Sequence, residues 1–250
     1  MQNAIDSSKS ITKMDSEPLI VFKSVSKTFG DGKALSDVSF SIPRGAFVCF
    51  IGPSGSGKST IVKIIAGLEE PTKGNVTRPE NVSLVFQSGA LFPWLTVFDN
   101  VALPLRVRGA PEAEVRRETA RYLLMTGLSA FAGKYPRELS GGQHQRVGIA
   151  RALVVDPEVL LLDEPFSALD IKTTEELHRD VTRIWKETKN TVVMISHSIE
   201  EAVELADTVI VMKGFGLHTS FSITLPRPRR TQMPAFMHEV MRIRREFFEA

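Results

Sequence analysis

Gly52-Pro53-Ser54-Gly55-Ser56-Gly57-Lys58-Ser59-Thr60 is the stretch on which the reading of this chain turns. It has the form G-x-x-x-x-G-K-[ST]. The apolar run Ala46-Phe47-Val48-Cys49-Phe50-Ile51 precedes it and suits a buried strand, while Ile61-Val62-Lys63-Ile64-Ile65-Ala66 follows as a helix. Strand, glycine loop and helix form the context in which backbone N–H groups turn inward around phosphate oxygens, helped by the positive end of the helix dipole. In such a loop Lys58 reaches the β- and γ-phosphates and the Ser59 hydroxyl holds Mg²⁺. The stretch therefore predicts binding of a nucleoside triphosphate.

The rest of the composition narrows the class without naming it. The chain has 250 residues, with 42% hydrophobic and 24% charged, as in an ordinary globular protein of one large or two small domains. No apolar run approaches the roughly eighteen residues of a membrane span. The start, Met1-Gln2-Asn3-Ala4-Ile5-Asp6, lacks the basic and apolar regions of a signal peptide. A single cysteine, Cys49, makes no internal disulfide and reads as a small buried hydrophobe. A net charge of +2 does not call for a nucleic-acid partner.

Along the chain, residues 1–17 are expected to be a loose polar leader. Leu19–Phe22, Val25–Phe29 and Ala34–Ile42 read as strands, and Pro71-Thr72-Lys73-Gly74 as a tight turn. Val82–Phe86, Leu160–Glu164, Val192–Ser196 and Thr208–Met212 are short buried strands alternating with helices, so the expected fold is α/β with a mostly parallel sheet and an antiparallel β region. The block of about 88–157 carries helical patterns only, one from Pro111 to about Met125 and one opened by Ser140, and reads as a helical insertion into a domain of 18–225. Residues 226–250 are expected as a basic, proline-stiffened linker followed by a helix. Phe236, Val240, Ile243 and Phe247 recur there at helical spacing and should dock on the domain.

Three further segments carry chemistry. Leu139-Ser140-Gly141-Gly142-Gln143 opens a helix, Leu160-Leu161-Leu162-Asp163-Glu164-Pro165 ends a strand in two carboxylates, and His197 follows the strand that ends at Ser196. Ser140-Gly141-Gly142 offers exposed N–H groups at a helix start, a second phosphate cradle where one triphosphate needs only one. Together with the glycine loop, from about Leu19 to Met212, these segments resemble the nucleotide-binding subunit of an ATP-binding cassette (ABC) transporter. The resemblance implies a P-loop ATPase that binds ATP and Mg²⁺. It implies that Glu164 positions or deprotonates the attacking water, that His197 contacts the γ-phosphate, and that Asp163, Ser59 and the loop glutamine Gln87 serve the metal site. It also implies that Phe29 stacks on adenine, where the family usually has tyrosine, and that Ser140 to Gln143 closes on the ATP of a partner in a head-to-tail homodimer. Asp170, in Ser167-Ala168-Leu169-Asp170, matches the family's dimer-contact loop.

Leu91-Phe92-Pro93-Trp94-Leu95-Thr96-Val97-Phe98-Asp99-Asn100-Val101 and Leu225-Pro226-Arg227-Pro228-Arg229 resemble importers of the nitrate, sulfonate and taurine group. The residues after Gln87, Ser88-Gly89-Ala90, lack that group's usual acid, and Gly214-Phe215-Gly216 lacks its Pro-Gly. The group implies a separate membrane permease docked near Trp94, a periplasmic or extracellular solute-binding protein, and a peripheral place on the cytoplasmic face of the membrane. The alternatives are another type of ABC transporter subunit, a soluble ABC ATPase of DNA repair or translation, and a P-loop kinase. The last would lack Leu139 to Gln143.

Overall fold

The computed structural model describes residues 18–229 and 233–248. The expected leader and Arg230 of the basic stretch lie outside the described residues. The core is a six-stranded sheet in the order β5-β6-β7-β3-β8-β9. Its strands are β3 (Phe47–Ile51), β5 (Val82–Val85), β6 (Val159–Asp163), β7 (Thr191–Ile195), β8 (Thr208–Lys213) and β9 (Gly216–Ser222). The first five are parallel, and β9 returns antiparallel along β8.

The central strands are apolar on both faces because both faces are covered. Phe47, Cys49 and Ile51 of β3 join Leu160, Leu162, Val192, Met194, Val209 and Val211 in one core. Val48 and Phe50 join Val159, Leu161, Val193, Ile195, Ile210 and Met212 in the other. The first core is closed by α4 (Gly141–Leu153), α5 (Ile171–Thr188) and α6 (Ile199–Leu205). The second is closed by α1 (Lys58–Ile65) and a smaller sheet, ordered β2-β1-β4, of β1 (Pro18–Phe29), β2 (Gly32–Pro43) and β4 (Lys73–Thr77). Cys49 is fully buried. Between β5 and β6, α2 (Val97–Val107) and α3 (Glu112–Met125) pack with α4 as a helical lobe. Thr96 caps α2 by accepting from the Asp99 N–H at 3.1 Å.

Several local expectations change. Leu19–Phe22 and Val25–Phe29 form one strand, β1, whose pairing with β2 shifts register between Phe22 and Val25, with Ser24 at φ 47°. The expected turn at Lys73-Gly74 is instead the start of β4, an edge strand along β1. Its residues are exposed except the half-buried Val76, so no apolar alternation marks it. β9 was not expected at all, for a similar reason: of its residues only Phe221 is buried.

The basic stretch before the last helix is docked. The Arg229 guanidinium is buried and donates to the carbonyls of Leu225, Val203, Ala206 and Ile223 at 2.9, 2.7, 2.5 and 2.9 Å. Burial first, then the neighbouring charge of Arg227, pull its pKa down to about 10, still charged at neutral pH. Arg227 donates to Asp207 at 2.6 Å and lies 4.6 Å from the centre of the Trp185 ring. In α7 (Pro234–Phe248), Phe236, Val240 and Ile243 are buried against the first core. Each such side chain contributes roughly 1.5–3 kcal/mol. That face is used up by the domain and is not offered to a membrane surface.

Replacing Arg229 by Ala leaves four buried carbonyls without their donor. Arg229→Ala is expected to lower the unfolding free energy by roughly 2–4 kcal/mol, read by urea denaturation. A loss below about 0.5 kcal/mol, the size of an ordinary surface change, would show that the strap is not held by this side chain.

Candidate active site

The chain leaves β3 at Ile51 and enters α1 at Lys58 through a turn that only glycine fits at two points. Gly57 sits at φ 96°, and a Cβ there would lie 2.5 Å from the Ala34 carbonyl oxygen. A Cβ on Gly52 would lie 2.5 Å from the Met212 carbonyl oxygen. Because Gly57 is the N-cap residue and has no side chain, α1 begins with no side-chain cap, and its first N–H groups face the loop. Lys58 is buried, with Nζ donating to the Gly52 and Pro53 carbonyls at 2.7 and 2.9 Å. Burial holds its pKa below the ordinary lysine value, against the opposing pull of the Glu164 and Asp163 carboxylates.

The neighbouring strands deliver the acids and the imidazole to the same end. Asp163 closes β6. Glu164 leaves the strand at φ 50°, its N–H donating to Ile195 O at 3.1 Å. Strand alternation alone therefore does not set its direction; the left-handed turn does. After β7, the Ser196 N–H donates to Phe50 O at 3.1 Å, and His197 Nε2 then lies 2.6 Å from Glu164 Oε1. Burial, and next the Glu164 charge, hold the Asp163 carboxyl above its ordinary pKa, with Lys63 and Lys58 opposing. Gln87 follows β5, and its Nε2 donates to Ser167 Oγ at 2.9 Å; that hydroxyl donates to Glu164 O at 3.0 Å.

A cavity of about 350 Å³ gathers Ser54, Gly55, Gly57, Lys58, Ser59 and Thr60 with Glu164, His197 and the ring of Phe29. Phe29 is half exposed at the end of β1, with Lys27 Nζ 4.8 Å from its ring centre. Lys33 and Ala34 also line the cavity, from the start of β2; nothing in their residue types announced them. Gly52, Pro53 and Ser56 shape the loop from behind, Ser56 being buried with an unpartnered hydroxyl. Ser140 to Gln143 does not line this cavity. Its N-cap hydroxyl accepts from Gln143 N at 3.3 Å, and Gln143 Oε1 accepts from Ser140 N at 2.9 Å, a reciprocal cap at the start of α4. Asp170 caps α5, its carboxylate accepting from Thr173 N at 3.1 Å and from the Thr173 hydroxyl at 2.6 Å.

The donor set fits a triphosphate with a hard cation. Uncapped N–H groups and a buried ammonium held only by neutral carbonyls suit phosphate oxygens. The Ser59 hydroxyl, Asp163 and Gln87 offer the few oxygen donors Mg²⁺ takes from protein beside phosphates. Among the described residues there is no cluster of three or more His, Cys, Asp or Glu that would hold a metal by itself.

A family model described as ABC transporter matches residues 35–167. The chain belongs to the ABC transporter family. Within that family it is similar to the aliphatic sulfonates import ATP-binding protein SsuB 1 of Paracoccus denitrificans, 39% identical over 88% of this chain and 89% of the relative. It is also similar to the sulfate/thiosulfate import ATP-binding protein CysA of Mycobacterium tuberculosis, 45% identical over 77% of this chain and 58% of the relative. The chain thus spans little more than half the length of such sulfate/thiosulfate relatives. Among solved structures, a dimeric post-hydrolysis state of the ATP-binding cassette MJ0796 with ADP and Pi superposes with a TM-score of 0.73. It is 36% identical over 83% of this chain and all of that one. The ABC ATPase fold expected from the sequence is the fold found.

Two outcomes test the site. Gly57→Ala should weaken ATP binding roughly tenfold or more, since a side chain in this left-handed position costs on the order of 1–3 kcal/mol; calorimetric titration reads it. Asp163 has a higher pKa folded than unfolded, so its ionisation opposes folding as pH rises through that range. Asp163→Asn should therefore raise the thermal midpoint of the nucleotide-free protein at neutral pH. The gain should fade below about pH 4, where the wild-type carboxyl is protonated in both states.

Proposed function

We propose that this chain is the ATP-binding and ATP-hydrolysing subunit of an ABC importer. It drives uptake of a small anionic solute through a separate permease, with sulfonates and sulfate the favoured cargo. The observation that carries this is the likeness, across nearly the whole of both chains, to a protein named for aliphatic sulfonate import. Among the described residues no helix is long and apolar enough to cross a membrane, and on this reading the path for the solute belongs to another chain. The protein then sits peripherally on the cytoplasmic face, and a solute-binding protein outside delivers the cargo.

The residues assign themselves roles on this reading. Phe29 carries the adenine on its exposed ring. The loop from Gly52 to Thr60 wraps the phosphates with N–H groups, and Lys58 exchanges its carbonyl partners for β- and γ-phosphate oxygens. Mg²⁺, held by Ser59, Asp163 and Gln87, would neutralise phosphate charge. Glu164, the carboxylate nearest His197, takes the proton of the attacking water, and His197 turns from it to the γ-phosphate. Lys58 and the loop N–H groups stabilise charge in the transition state. Ser140 to Gln143, outside this chain's own cavity, completes the site of a second copy in a head-to-tail homodimer. Its capped but outward helix start supplies the second cradle.

Exposure supports a permease-docking surface around Trp94. Trp94 is 71% exposed and packs beside Phe92, ring centres 5.5 Å apart. The loop carrying both is pinned by Asn100, fully buried, whose amide donates to the Phe92, Leu95 and Thr96 carbonyls at 3.1, 3.1 and 3.0 Å. A rigid loop that holds two aromatic rings in solvent fits a docking knob better than a core element.

Glu164→Gln should keep ATP affinity, lower turnover by roughly a hundredfold or more, and accumulate as an ATP-bound dimer on a sizing column. Turnover near wild type would remove Glu164 from the proton-accepting role. Purification of the tagged chain from membranes should bring down a multi-spanning protein. A clean soluble ATPase with no membrane companion would sink the importer reading.

A further inference from the structure

A second cavity lies apart from the nucleotide site. It measures about 430 Å³ and lies where the C-terminal strap crosses α5 and α6. That volume is in the range of pockets that take small organic ligands. Arg179, Thr182 and Lys186 line it from α5, and Arg227, Pro228 and Arg229 from the strap.

The charges around it are unequally satisfied. Arg227 is paired with Asp207, and Arg229 is enclosed by carbonyls that lower its charge by nothing. Arg183 is engaged by Asp180 and Glu187 at 3.3 and 3.5 Å, and Glu204 by His178 at 3.0 Å. Arg179 and Lys186 have no counter-charge or hydrogen-bond partner among the described residues. They stand two turns apart on one face of α5, with Thr182 between them. Two unpaired cations and a hydroxyl at the rim of a cavity whose other wall adds two arginines make a locally positive potential. Pro228 and the hydrocarbon stems of Arg179 and Lys186 supply apolar surface.

We propose that this cavity binds a small organic oxyanion, an acidic head group on a short apolar body. The head group lies between Arg179 and Lys186 and the body lies against Pro228. The site is separate from the phosphate loop and does not depend on the importer reading.

A contact path leads from it to His197. His178 lines the cavity, is buried, and has an Nε2 without a hydrogen-bond partner. Its ring packs edge-to-face on Phe166, centroids 4.5 Å apart, two residues after Glu164. On its other side it meets α6, bonding Glu204 and lying 3.9 Å from Glu201. Glu201 accepts from Ser196 Oγ at 2.6 Å, beside His197. An occupant that draws Arg179 inward shifts His178 and both loops that hold the Glu164–His197 contact.

Trp185, beneath Arg227, reports on the strap. With Trp94→Phe as the background it is the single tryptophan, because the chain has 2. The probe is butanesulfonate, with butylammonium as the control of opposite charge. The expected result is a saturable change in Trp185 emission with butanesulfonate alone. Its half-saturation should rise at least tenfold in Arg179→Ala/Lys186→Ala, whose exposed, unpaired side chains leave folding and basal ATP turnover unchanged, and should stay put in Lys58→Ala. A response lost in Lys58→Ala and kept in the double variant would put the anion in the phosphate loop and overturn the proposal, as would no saturable response. ATP turnover at saturating butanesulfonate should shift in the parent and not in the double variant. Binding with no shift would overturn the link to His197.

Discussion

In the large sheet, Phe50, Ile195 and Asp163 lie opposite one another in a single row. That row is set by burial on both faces. A slip of one residue in β3, β6 or β7 would exchange the two cores, moving every apolar side chain of the strand to the wrong face. With the register so fixed, the three chains leave the sheet side by side, and two backbone bonds carry the row one step further, from Ser196 N to Phe50 O and from Glu164 N to Ile195 O. The meeting of Lys58, Asp163, Glu164 and His197 is therefore decided by the backbone before any side chain has a partner. Ligand sites form at the carboxyl ends of such strands for this reason.

The site is correspondingly poor in its own compensation. Lys58 is buried against carbonyl oxygens and not against a carboxylate, and Asp163 is half-buried beside a second acid. Both are held away from their ordinary protonation behaviour in the direction that disfavours charge. A polyanion with a divalent cation answers both deficits at once, giving the ammonium anionic oxygens and the carboxylate a positive neighbour. A ligand of that kind would return the stability these two groups withhold.

The legible parts of the chain were those where local chemistry and tertiary position coincide. The glycine loop could be read because its left-handed turn and its missing cap are consequences of glycine itself. The central strands could be read because double burial writes an unbroken apolar run. β4 and β9 could not, since edge strands that bury at most one side chain leave no period to detect. The basic stretch was misjudged for a different reason. Arginine is ordinarily a surface residue, and that Arg229 would find four inward carbonyls depends on where α6 and β9 end, which no local pattern states. Asn100 was likewise silent, a common polar residue whose three carbonyl partners come from the turn before its own helix.

The serine after Phe166 has one proton to give. Ser167 Oγ spends it on the Glu164 carbonyl, so toward Gln87 it can only accept. That fixes which end of the glutamine amide faces Ser167: the NH₂ group must, and Oε1 is turned away with no protein partner among the described residues. The polarity of the Gln87 side chain is thus dictated, through Ser167 80 residues further along the chain, by a backbone oxygen at the exit of β6. Alanine at this serine would free the amide to rotate and exchange an acceptor oxygen for a donor nitrogen on its outward side, a change of sign made without altering the glutamine itself.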